Sequence, residues 1–149
     1  MVYGFNVYHS IVEALERNQA TSMKWLDLAA LCRSYLSAIG RDAVLERVFY
    51  FSAMPEWRPD NVERQTVYVA ALKSTGIEVQ LGRFKEKDGM CFKCGATFKR
   101  HEEKETDVAV AVKLMELFML NACDTVVLVT GDTDLALSET ELLWKPAGW

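Results

Sequence analysis

The segment Asp124–Asp134, DTVVLVTGDTD, limits what this chain can fold into more than any other stretch. Five consecutive apolar or β-branched residues, Val126–Thr130, lead into Gly131 and then into Asp132 and Asp134, one residue apart. A strand buried on both faces of a parallel sheet reads as such an unbroken apolar run. Open α/β sheets bind ligands just beyond the carboxyl ends of their strands, so both carboxylates fall where such a fold keeps its chemistry. Two like charges that close are unfavourable unless a cation or a proton lies between them. A hard divalent ion, Mg²⁺ or Mn²⁺, suits carboxylate and water oxygens. An Asp after a strand is also common as a turn residue or helix N-cap. Asp107, which opens the preceding helix, tips the balance, because three converging carboxylates make a metal site rather than three caps.

The rest of the chain supplies the sheet that this strand requires. Met1–Val7 is short and β-competent, and helices follow over about Ser10–Asn18 and Ser22–Ile39. Ser22 is the expected N-cap of the second, whose stripe of Trp25, Leu28, Ala29, Cys32 and Leu36 is expected in the core; Gly40 ends it. Val44–Ala53 reads as a central strand, Met54–Asp60 as a loop, and Asn61–Ser74 as an amphipathic helix closed by Gly76. Ile77–Phe84 is the next strand. After an insert comes a helix over about Asp107–Asn121, with Val108, Val112, Met115 and Met119 on one face. This alternation predicts a Rossmann-like parallel sheet flanked by helices.

With 149 residues, half of them hydrophobic and 26% charged, the chain suits a single domain over residues 1–149. No apolar run reaches the ~20 residues that span a bilayer, and the amino terminus lacks a secretory pattern. A cytoplasmic protein without membrane contact is expected. Cys32 and Cys123 lie in apolar contexts that suit buried free thiols. A net charge of −4 argues against non-specific nucleic-acid binding through Lys and Arg alone. Phosphate can still be held locally, by metal ions and by the cluster Arg83, Lys85, Lys87, Lys99 and Arg100.

Several short motifs together resemble the NYN domains, bacterial members of the PIN-like nuclease superfamily. They are Gly4-Phe5-Asn6-Val7-Tyr8-His9, Lys24-Trp25-Leu26-Asp27-Leu28, Phe51-Ser52-Ala53 and Gly82-Arg83-Phe84-Lys85. Cys91-Phe92-Lys93-Cys94, Glu102-Glu103-Lys104-Glu105-Thr106-Asp107 and Gly131-Asp132-Thr133-Asp134 complete the set. The resemblance runs from about Gly4 to Ala136. It implies an acidic pocket that binds Mg²⁺ or Mn²⁺ and hydrolyses RNA phosphodiesters, with Asp107, Asp132 and Asp134 as metal-site carboxylates. Asn6 is implied as the polar residue at the end of the first strand. From the basic cluster, Arg83, Lys85, Lys99 and Arg100 are the expected substrate contacts. Two departures stand out. Family members carry Asp before the Gly-Phe-Asn, whereas this chain has Tyr3, a phenol neutral at pH 7 and a poor ligand for Mg²⁺. The stretch Leu137–Trp149 also replaces a further helix and strand, an atypical tail that reads as a truncated carboxyl terminus. Both predict impaired activity.

The insert, about Lys85–Lys104, contains Cys91-Phe-Lys-Cys94-Gly, the knuckle of a zinc ribbon. A structural zinc ion needs four ligands, and the segment offers Cys91, Cys94 and His101, with Glu102, Glu103 or a more distant group as the fourth. Redox chemistry is the rival use of a cytosolic CxxC, although such motifs usually open a helix; an unligated loop with two reduced thiols is the third. His9 is expected at the pocket rim or a helix start. For the whole chain, a non-catalytic RNA-binding module of the same fold and a phosphohydrolase of small phosphate esters compete with the ribonuclease. Oligomeric state stays open, a homo-oligomer included.

Overall fold

The computed structural model describes residues 1–17 and 25–131. Ser22, Asp132, Asp134 and the tail 137–149 lie outside the described residues. In chain order the elements are β1 (Val2–Tyr3), α1 (Gly4–Glu16), α2 (Leu28–Ser34), α3 (Leu36–Ile39), β2 (Phe49–Met54), α4 (Pro59–Ser74), β3 (Glu78–Met90), β4 (Thr97–Lys104) and α5 (Thr106–Met119).

The strands form a mixed sheet in the order β1-β2-β3-β4, parallel across β1, β2 and β3. The run before Gly131 joins the free side of β1: Val129 bridges Val2 in parallel, with Val129 N–H donating to the Met1 carbonyl at 2.9 Å and Tyr3 N–H to the Val129 carbonyl at 3.0 Å. The α/β fold is as expected. What the sequence presented as a loop insert adds to it, because β3 runs on to Met90 and β4 returns antiparallel, Arg83 opposite Lys104 and Met90 opposite Thr97.

Strand β2 carries the core on both faces, as its alternation dictates. Phe49 and Phe51 pack with Tyr3, Val110 and Leu117 under α5. Tyr50 packs on the other side with Val2, Leu28, Leu72 and Ile77, under α2 and α4.

Several boundaries differ from expectation. β1 is only two residues long, and α1 begins at Gly4 rather than near Ser10. Gly4 permits this early turn, since a Cβ there would lie 2.2 Å from the Tyr50 ring. Helix α2 starts at Leu28, capped by Asp27, whose carboxylate accepts from Ala30 N–H at 2.9 Å; it breaks at Tyr35. Trp25 is 65% exposed rather than in the core. β2 starts at Phe49, leaving Val44 exposed. The α5 stripe Val108, Val112, Met115 and Met119 is also exposed, and Val110 and Leu117 are buried instead. That helix is apolar nearly all round, so periodicity alone could not say which stripe meets the sheet.

Candidate functional site at the carboxyl rim of the sheet

Four chain segments meet beyond the carboxyl end of β1. Tyr3 is buried, and its hydroxyl donates to Asp107 Oδ1 at 2.9 Å. Three residues on, in the first turn of α1, Asn6 Nδ2 donates to Thr130 Oγ1 at 2.8 Å. Gly131 lies beside it, where an added Cβ would stand 3.9 Å from Asn6 Cβ. Asp107 is solvent-exposed in the first turn of α5, a position the helix dipole favours for a carboxylate. The turn into that helix is made by Glu105 at a φ of 73°.

A second carboxylate, Glu103 at the end of β4, lies against this group. Its Oε1 accepts from Thr106 Oγ1 at 2.7 Å. Burial pushes its carboxyl above the ordinary value, the Thr106 hydroxyl opposes that, and the nearby Asp107 charge adds to it. Gly82 lets the strands close up here, since a Cβ would come within 2.9 Å of the Lys104 carbonyl oxygen and 3.1 Å of Thr106 Oγ1. In the sequence Glu103 stands out only as a candidate zinc ligand. Its place beside Asp107 follows from the β3–β4 register, for which the charged HEEKE run gives no apolar signal.

Aromatic rings continue the rim along the hairpin. Phe5 stacks edge-on with His9 at 4.3 Å and lies 6.2 Å from Phe84. Phe84 meets Trp57 edge-on at 4.8 Å, and Trp57 stacks face to face on His101, at 3.7 Å and 9° between planes. Phe5 and Trp57 remain 42% and 39% exposed, enough ring surface for a flat ligand. His9, the sixth residue of α1, lies against the rim ring of Phe5 rather than at a helix start. His101, expected near the cysteines, is instead in this stack, with Nε2 3.8 Å from Glu86. Among the described residues no three His, Cys, Asp or Glu side chains gather to hold a metal ion.

Strand alternation sorts the five residues of the expected phosphate cluster onto two faces of the hairpin. Arg83, Lys85, Lys87, Arg100 and Lys104 share one face, with Glu102 as the carboxylate that accepts from Lys87, Arg100 and Lys104. Lys99 is on the other face, held 2.7 Å from both Glu86 and Asp88. Arg83 and Lys85 make no ion pair among the described residues.

At the hairpin tip, Cys91 N–H donates to the Ala96 carbonyl and Gly95 N–H to the Cys91 carbonyl, each at 2.8 Å. Gly95 takes the left-handed φ of 69° that closes the turn. The Cys94 and Lys93 backbone N–H groups, with the Cys94 thiol, hold the Cys91 thiol below its ordinary pKa. A cleft of about 830 Å³ lies at the opposite, amino end of the strands, lined by Met1, Val48, Phe49 and Asp124 among others. It holds none of the rim residues, and the chemistry of an α/β sheet belongs at the carboxyl end.

The model of the NYN domain matches residues 6–142. The chain belongs to the NYN domain family. No curated protein and no solved structure matches it. Membership places this NYN domain among the PIN-like nucleases, with nucleic-acid hydrolysis as their general activity and divalent metals as their usual cofactors. No helix among its described residues is long and apolar enough to cross a membrane.

Proposed function

We propose that this NYN domain is an endoribonuclease acting on single-stranded RNA, with Mg²⁺ or Mn²⁺ held by Asp107, Asp132 and Asp134 and with Asn6 beside them. The observation that carries the reading is the pair of hydrogen bonds Tyr3–Asp107 and Asn6–Thr130. They tie Asp107 and the residues just before Asp132 to one strand end. The donor chemistry of the described part fits a hard cation. Asp107 is exposed, with one oxygen engaged by a neutral hydroxyl. Glu103 is a half-buried carboxylate beside a second negative charge, an arrangement a cation relieves.

When bound, the ion supplies positive charge at the scissile phosphate and lowers the pKa of a water. The protein's own groups do the rest. Tyr3 orients the Asp107 carboxylate, and Asn6 fixes the Thr130–Gly131 turn that precedes Asp132. Phe5 and Trp57 offer ring faces to unpaired bases, worth about 1–3 kcal/mol per stacked base. Arg83 and Lys85, at the inner end of the basic face, receive the backbone. Glu103 extends the acidic pocket.

The test is internal cleavage of an unstructured RNA oligonucleotide with Mn²⁺. Cleavage is expected to be slow and abolished by excess EDTA. Asp132→Asn is expected to cost more than the ~10–100-fold that changes outside the ligand shell cost. Tyr3→Asp is expected to raise the rate by adding a carboxylate at the end of β1. Cleavage unchanged by EDTA or by Asp132→Asn defeats the metal mechanism. RNA binding without cleavage, even in Tyr3→Asp, assigns the domain a binding role. Hydrolysis of a small phosphate ester in place of RNA assigns it to the phosphohydrolases.

A further inference from the structure

Cys91 and Cys94 are paired with each other, and among the described residues no third His, Cys, Asp or Glu joins them to complete a metal site. The chain has four cysteines and two histidines, all among the described residues. Cys123 packs against one core cluster and Cys32 against the other. His9 is on Phe5, and His101 is stacked on Trp57. From Thr97, at the tip, to His101 is four residues of extended strand, about 13 Å at ~3.3 Å per residue. Zinc holds sulfur at ~2.3 Å and imidazole nitrogen at ~2.0–2.1 Å, so His101 cannot reach an ion on this pair. Asp88, two residues inside the tip, is occupied by Lys99 at 2.7 Å.

The tip is less charged than the arm behind it, with Lys93 as its one cation. Phe92 is 99% exposed, and Met90 and Phe98, on opposite faces of the hairpin end, are 58% and 50% exposed. A pair of thiols with half the ligands a closed zinc site needs, next to a fully exposed Phe92, suits a second copy of itself. A two-fold axis through the metal brings an identical pair of thiols and a second exposed Phe92.

We propose that the hairpin tips of two copies of this chain meet around one zinc ion, held tetrahedrally by the Cys91 and Cys94 thiolates of both. The four thiols lose their protons on binding, and no electron changes hands. The Phe92 rings of the two tips cover the cluster and exclude water. The arrangement is independent of the nuclease reading, since the tip lies at the far end of the hairpin from Asp107 and Asn6.

The experiment uses the full chain under reducing conditions, with metal analysis, sedimentation velocity and zinc titration. The expected result is one zinc per two chains and a doubling of mass on zinc addition that a chelator reverses. Co²⁺ in place of zinc should give the absorption of a tetrahedral four-thiolate site. Cys91→Ser and Cys94→Ser should each lose metal and dimer together, and Phe92→Asp, which keeps the thiols, should weaken the dimer. One zinc per monomeric chain, no zinc uptake at all, a dimer that persists in chelator, or uptake that falls in His101→Ala would each overturn the proposal.

Discussion

Strand β2 buries both of its faces, Phe49 and Phe51 under α5 and Tyr50 under α4, whereas the β3–β4 hairpin beyond Phe84 buries almost nothing. Both are governed by the same two-residue alternation. In β2 it divides apolar side chains between two layers of core, so stability comes from area removed from water. In the hairpin it divides charges. One face carries Arg83, Lys85, Lys87, Arg100 and Lys104 against Glu102, the other Glu86, Asp88 and Glu103 against Lys99. Exposed ion pairs of that kind contribute little stability, so the arm's sequence answers to what it touches rather than to folding. Where the two regions join, Tyr3, Asn6, Glu103 and Asp107 gather at the end of β1 through the hydrogen bonds Tyr3–Asp107, Asn6–Thr130 and Thr106–Glu103.

The largest contrast should appear in stability. Phe51 is 1% exposed at the centre of β2, and Phe51→Ala should destabilise by about 3–5 kcal/mol. Phe92→Ser at the arm's tip should change the monomer by no more than about 0.5 kcal/mol. Denaturant midpoints of the zinc-free protein measure both. Comparable losses would mean that the arm is packed against something and that the division is wrong.

A smaller effect sharpens the contrast between the hairpin's own faces. In single-stranded RNA binding, every phosphate deprived of its protein cation should reduce the slope of log affinity against log salt by about 0.7. Arg83→Ala with Lys85→Ala should flatten that slope, whereas Lys99→Ala, already neutralised by Glu86 and Asp88, should leave it in place. Equal effects from both faces would make the cations an unspecific cloud rather than a track.

How much of this could be read in advance depended on what fixed each feature. The parallel strands and the helices between them were legible because apolar runs and Gly76 at a helix end are local signals. The family resemblance pointed to Asp107 and Asn6, and the structure gathers both at one strand end. The antiparallel return of β4 was not legible, since its HEEKE run pairs through backbone hydrogen bonds that leave no apolar trace. The sequence therefore groups His101 with the nearby cysteines, whereas strand geometry carries it to Trp57. Tyr3 read as a missing ligand. Its hydroxyl turns out to bind the Asp107 carboxylate, a contact across 104 positions that no local pattern encodes.

The smallest expected effect concerns pH and Glu103. Burial, with Asp107 nearby, holds its carboxyl above the ordinary 4.5, while the neighbouring Tyr50 phenol, pushed up to about 12, stays neutral throughout. The folded chain therefore keeps this proton more tightly than the unfolded chain does. Below the unfolded value both states are protonated and nothing is lost. As pH rises through the folded value the unfolded chain gives up its proton first, and the folded state loses stability relative to it until both are ionised. Glu103→Gln cannot ionise and retains an acceptor for Thr106, so it should be more stable than the parent at about pH 7 and converge with it at about pH 4. Paired denaturation curves without divalent ions measure the gap; Mn²⁺ should narrow it, because an ion near Asp107 relieves the same repulsion. A gap that opens on acidification instead would mean that Glu103 is stabilised as the anion, and would remove it from the acidic pocket.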